Sequence, residues 1–303
     1  MKLALTDSMV LTKKERKRSI TLAIIIGVIL MVGVQTVVTE VPKQFVSNIG
    51  AQEIIALFVN IFVILAVLLF SRIFESRSAA SFGFTTKQPL KNVEIGLLTG
   101  FVFLLFVFLV NLLSGSIEVS FNLKSISWLY VIASFFGFLF QGTMEEVVCR
   151  GFIMNTVSAK TNVWMGVIIN SLIFTALHGV NDSVTALAIF NLFLASLILS
   201  FIFYLSDNLL LVGAFHAIWN FMLGPFFGVP VSGYSIYSSI FQTAPLTNKT
   251  LINGGGFGFE GGLGLTICAI LMLIVLFYFV KKKMTMLLGD KLAIRHMKKL
   301  FYQ

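Results

Sequence analysis

The stretch Leu139–Phe152, LFQGTMEEVVCRGF, sets two adjacent carboxylates and an arginine within one of the most apolar regions of a very apolar chain. A charge at bilayer depth is costly, so membrane segments carry one chiefly where a partner or a task requires it. On a helix Glu146 and Arg150 stand at i, i+4, so the two side chains meet on one face and each offsets the other's charge. Glu145 is turned about 100° away. It shares its face with Gln141 and Cys149 and has no charge partner on its own helix, which makes it a candidate general base. The blander reading is a structural Glu–Arg pair beside a second glutamate that points to water.

Of the three histidines, two fall in apolar segments. FTALH puts Phe174 and His178 at i, i+4, and HAIWN does the same for His216 and Asn220. One buried histidine is usually a hydrogen-bonded packing residue. Two of them, with an asparagine and an unpaired glutamate in neighbouring segments, point instead to a site. Asn181 and Asp182, just beyond His178, fit a turn. Peptide hydrolysis needs a base to activate water and donors to hold the oxyanion of the tetrahedral intermediate. Glu145 with His178 supplies the first, and His216 with the Asn220 amide the second. In a second chemical reading the histidines and Glu145 are zinc ligands with an open position, although no HExxH motif accompanies them.

These residues must be positioned by membrane helices. The chain is 57% hydrophobic and 12% charged, whereas soluble domains run near 25% charged. A bilayer crossing takes about 20 apolar residues. Eight stretches qualify: 20–38, 54–70, 95–113, 128–157, 163–178, 184–205, 209–227 and 263–280. The sequence therefore predicts an all-α polytopic membrane protein, one domain over 1–303. Within it, 1–19 is a basic N-terminus, 128–227 the catalytic helices, 228–262 a Gly-rich extracytoplasmic loop and 281–303 a basic tail. With both termini cytoplasmic, 19 of the 22 lysines and arginines fall inside, and only Lys43, Lys124 and Lys249 outside, as the positive-inside rule requires. The net charge of +9 thus reads as topology and contact with anionic lipid, and nucleic acid is excluded as a partner.

Cys149 and Cys268 both lie in or beside spans and suggest no disulfide framework. The first span has no small-residue cleavage site and reads as an anchor. The first three spans carry almost no polar residue in their apolar cores and read as scaffold. The fourth span is overlong. Glu145 reaches the depth of His178 if this helix runs well past Arg150 and turns near Lys160. The glycine-rich NGGGFGFEGGLG is either a linker or a lid or re-entrant segment over the site. No internal repeat is apparent, which weighs against duplicated transporter folds.

EEVVCRG fits EExxxRG, FTALH fits FxxxH and HAIWN fits HxxxN, in that order on successive apolar segments. Three ordered motifs over 145–220 resemble the CPBP family, the CAAX-protease and bacteriocin-processing (Abi) intramembrane proteases. The resemblance implies a glutamate-type intramembrane endopeptidase. Glu145 would be its base with His178, His216 and Asn220 its oxyanion site, and Glu146 and Arg150 its structural support. It implies no obligatory cofactor, with zinc as the alternative. It also implies a membrane-associated peptide or protein substrate and a bacterial plasma membrane. The chain ends LFYQ, not C-a-a-X, so it carries no prenylation motif of its own. Two rivals remain: a transporter or proton relay, and a non-catalytic immunity or scaffold protein that binds a peptide.

Overall fold

The computed structural model describes residues 3–15, 19–85, 87–122 and 125–301, with side chains described up to residue 286. Of the basic residues used for orientation, Lys2, Arg16, Lys17, Arg18, Lys124 and those beyond Lys283 lie outside these side chains.

A short helix α1 (Asp7–Glu15) precedes eight longer apolar ones. These are α2 (Ile20–Lys43), α3 (Ile49–Glu75), α4 (Pro89–Leu113), α5 (Trp128–Lys160), α6 (Val163–His178), α7 (Ala186–Ser206), α8 (Leu209–Phe226) and α9 (Leu263–Met286). Seven are long and apolar enough to cross a membrane, and α6 with 16 residues is shorter. All eight expected stretches are therefore helical, seven of them as candidate spans, and most run longer than hydropathy alone outlined. α4 shows why a bilayer is needed. Leu98, Val102, Phe106 and Leu113 on its outer surface are 49–84% exposed, an apolar stripe suited to lipid.

Local signals break this apolar sequence into helices. The side chains of Asn162, Thr185 and Asn208 accept hydrogen bonds from the backbone N–H groups of Met165, Ala188 and Leu211. They cap α6, α7 and α8 and so satisfy otherwise orphaned donors. The turn between α5 and α6 sets depth. Glu145 lies 15 residues before Lys160 (160 − 145) and His178 lies 15 after Val163 (178 − 163). In an antiparallel hairpin both stand at one level, roughly 20 Å from the turn. The surplus length of the fourth span thus serves to bring the two side chains level. Within α5, residues Val147–Met154 are wound as a π-helix just after the glutamates.

α8 packs against α4 and α5. Small residues permit the approach: a Cβ on Gly142 would lie 2.8 Å from the backbone nitrogen of Ala217, and one on Gly213 would lie 2.7 Å from Thr143 Oγ1. Such seams let membrane helices close where apolar burial alone drives little association.

Two features were not legible as helices. Strands β1 (Ile117–Phe121) and β2 (Phe241–Pro245) pair antiparallel, with Val119 opposite Thr243, joining the α4–α5 connection to the long 228–262 segment. That segment is packed, so the linker reading is corrected. Phe257, Phe259 and Glu260 are buried, and the Asn191 amide of α7 donates to the carbonyls of Glu260 and Gly262 at 3.0 and 2.9 Å. Gly258 has φ +81°, and a Cβ there would collide with the Pro230 carbonyl. Its glycines serve close packing more than flexibility.

Candidate active site

Glu146 is fully buried on α5. Its Oε1 accepts from the Arg150 guanidinium at 3.0 Å and from His216 Nδ1 of α8 at 2.8 Å. Arg150 also donates to the carbonyl and hydroxyl oxygens of Ser196 on α7, at 3.1 and 2.8 Å. Its guanidinium lies 4.9 Å from the centre of the Phe174 ring. The expected Glu146–Arg150 pair is present and does more than pair. It ties α5 to α7 and, through the Nδ1 proton, holds the His216 ring so that Nε2 points at the neighbouring glutamate.

Glu145 faces the other way. Its Oε1 accepts from Gln141 Nε2 at 2.5 Å. Its Oε2 is buried without a hydrogen-bond partner. That oxygen lies 3.7 Å from His178 Nε2 and 3.8 Å from His216 Nε2. Both separations are too long for direct hydrogen bonds and short enough for one small molecule to bridge. His178 Nδ1 donates to the Phe174 carbonyl at 2.9 Å and its ring stacks on Phe174. This fixes the His178 tautomer and leaves the Nε2 lone pair facing Glu145.

Asn220 Nδ2 donates to Gln141 Oε1 at 2.9 Å. Gln141 therefore connects Glu145 to Asn220, its amide nitrogen towards the carboxylate and its oxygen towards the asparagine. Its face had been noted in the sequence, but not this bridging. Cys149, on that same face, is buried as a free thiol among Phe174, Leu192 and Phe257, away from these bonds. Asn181 lies in the expected turn, and its amide reaches the Ser232 carbonyl at 3.0 Å.

Glu145, His178, His216 and Asn220 all line one cavity of about 680 Å³, within the ~300–1,000 Å³ usual for ligand pockets. Two contributions to its wall were missed. Glu260, from the Gly-rich segment, accepts from Trp219 Nε1 at 3.1 Å and from the Ser232 backbone N–H and hydroxyl at 2.6 and 2.8 Å. It is the only ionisable residue in NGGGFGFEGGLG, and that isolation was the available signal. The first two spans also do more than scaffold. Gln35 and Thr39 of α2, with Glu53 and Asn60 of α3, face the cavity. Their i, i+4 and i, i+7 spacing places each pair on one face, which a count of polar residues per span overlooks.

Among the described residues no group of three or more His, Cys, Asp or Glu is arranged to hold a metal ion. The donor types nevertheless suit zinc: two imidazole Nε2 atoms, each with its Nδ1 held by an oxygen, and one carboxylate oxygen.

No curated protein matches the chain. Residues 126–222 match the family model of the type II CAAX prenyl endopeptidase Rce1-like proteins. The match begins just before α5 and ends just past Asn220, so the segment that holds all four side chains is similar to the Rce1-like CAAX endopeptidases, within a multi-pass membrane protein.

Proposed function

We propose that the protein is an intramembrane endopeptidase that cleaves membrane-associated peptides or proteins with water activated by Glu145. The observation that carries this reading is the unbonded, buried Glu145 Oε2, set between two histidine Nε2 atoms in a cavity of peptide-binding size. A water there donates one proton to Glu145 Oε2 and the other towards the His178 lone pair, leaving its oxygen free to attack a carbonyl carbon. As the C–O bond forms, the carbonyl oxygen takes up negative charge. His216 donates to it from Nε2 while Glu146 holds the Nδ1 proton, so the stabilising form is the imidazolium, its charge faced by the Glu146 carboxylate. The Asn220 amide has a second N–H beside the one given to Gln141. The proton on Glu145 then passes to the leaving nitrogen as the C–N bond breaks. Preorganised donors in a site closed to bulk water lower such a barrier by a few kcal/mol each.

Comparative peptide profiling of membranes and medium tests the reading. Glu145→Gln keeps the size and the bond to Gln141 but removes the base. Peptides released by the wild type should vanish in the variant, while the inserted protein remains at normal level. Equal peptide profiles would identify a binding or scaffold protein instead.

A zinc-dependent variant of the same reaction is the second reading, favoured by the donor set described above. His178, His216 and Glu145 would hold the ion, which would polarise the water. The chain's own groups supply base and donors without it, and we prefer that version. Activity that survives exhaustive chelation, in protein without stoichiometric zinc, is the expected result. Loss on chelation and recovery with Zn²⁺ would select the metalloprotease.

A further inference from the structure

The chain carries a net charge of +9, yet its cavity is acidic. Among the described residues three carboxylates line it, Glu53, Glu145 and Glu260, against the two histidines of the site and one lysine, Lys43, whose ammonium is held by Glu40 at 2.6 Å. Among the described residues neither Glu53 nor Glu260 forms an ion pair. Glu260 has its carboxylate saturated by the indole and Ser232 donors. Glu53 differs: Oε2 accepts from the Tyr237 backbone N–H at 2.8 Å, and no hydrogen bond engages Oε1. Glu53 shares a face of α3 with Ala56, Leu57 and Asn60, all on the cavity wall, and across from it α2 presents Gln35 and Thr39. The same cavity is lined by Glu145, whose Oε2 is buried and unbonded. An acidic, partly dehydrated wall strengthens attraction for a cation and raises the cost of an anion.

Building on the endopeptidase reading, we propose that this cavity selects peptides with a cationic group, the ammonium or guanidinium of a lysine or arginine, on the segment that lies against α3, and that Glu53 is the specificity-determining residue. The polar neighbours Gln35, Thr39 and Asn60 offer the remaining hydrogen-bonding capacity for such a group or for the peptide backbone beside it. The apolar remainder of the wall takes the flanking side chains.

Binding tests this without requiring cleavage. The protein, purified in detergent as Glu145→Gln, also carries Trp128→Phe and Trp164→Phe, so that its fluorescence comes from Trp219 on the cavity wall. The probes are short N-palmitoylated, C-amidated alanine–leucine peptides with lysine, norleucine or glutamate at the centre. A further peptide with a free N-terminal amine and norleucine at the centre, palmitoylated on a C-terminal cysteine, separates an α-amine from a side-chain cation. The lysine peptide should bind about tenfold or more tighter than norleucine, the span of a charge-assisted hydrogen bond, and the glutamate peptide weakest. Glu53→Gln keeps the acceptor for the Tyr237 N–H and should erase the preference. Glu53→Lys should reverse it. Equal binding of all peptides, no binding at all, tighter binding of the free-amine probe than of lysine, or a preference that survives Glu53→Gln and disappears in Glu260→Gln would each overturn the proposal. Failure of the endopeptidase reading shows separately, as lysine-selective binding with no cleavage when Glu145 is restored.

Discussion

At the scale of single residues, the two adjacent glutamates differ by what reaches them. Glu146 is committed to Arg150 and His216, whereas Glu145 keeps one oxygen free. Glu146→Ala removes one partner of a fully buried pair and leaves the Arg150 charge stranded, a loss of about 3–5 kcal/mol. The amount of folded, detergent-extractable protein should drop sharply, and normal yield would refute the pairing role. Asn220→Ala, by contrast, should leave yield intact and slow turnover about 10²–10³-fold with little change in substrate binding, as for loss of one oxyanion donor. Gln141→Leu should fall on the same side. It frees both Glu145 Oε1 and the Asn220 amide, so turnover should decline about 10–100-fold, in line with the loss of an orienting outer partner. Both are read from kcat and KM on a peptide identified by profiling; an unchanged kcat in either variant would remove that residue from the machinery.

At the scale of elements, the decisive seam is between α5 and α8, because His216 is brought to the glutamates only where Gly142 and Gly213 allow the backbones to close. Gly142→Leu should force the helices apart and abolish cleavage even in protein that remains inserted and monodisperse. Gly33→Ala on α2 is the matched control, since a Cβ there meets nothing within 4 Å. It should be neutral or slightly stabilising, because alanine favours a helix over glycine by about 1 kcal/mol. Activity retained by Gly142→Leu would show that the α5–α8 spacing does not set the site. The cross-links at this scale were illegible beforehand because a hydropathy profile reports burial along one helix, and a seam is a property of two.

At the scale of the whole molecule, α1 is packed on the bundle through buried Met9 and Thr12, with the Thr12 hydroxyl donating to the Ser81 carbonyl at 2.9 Å. Buried Arg77 donates to Thr12 and to the Gly151 carbonyl, at 3.1 and 2.9 Å, and so connects this end to the π-wound stretch of α5. The positive-inside expectation is that the α2–α3 turn faces outward and the α3–α4 connection inward. The native thiols are 0% and 1% exposed, which keeps labelling background low. A membrane-impermeant maleimide applied to intact cells should therefore label Gln44→Cys, and should label Lys91→Cys only after permeabilisation. The opposite pattern would invert the orientation.

The sequence by itself determined what depends on neighbours along the chain. Hydropathy runs yielded eight apolar helices, i, i+4 spacing yielded the Glu146–Arg150 contact and the shared face of His216 and Asn220, and three ordered motifs marked a candidate site between 145 and 220. These are local properties, fixed by the helical period and by the bilayer's demand for long apolar segments. Tertiary structure alone decided which nitrogen of each histidine faces which glutamate, and that Gln141 bridges Glu145 to Asn220. It also brought Glu260, 40 residues beyond Asn220, and the faces of α2 and α3, more than 80 residues before Glu145, to one cavity wall. Such placements arise from how helices pack and from where a glycine lets two backbones meet, and no period along a single segment encodes the partner that another segment will supply.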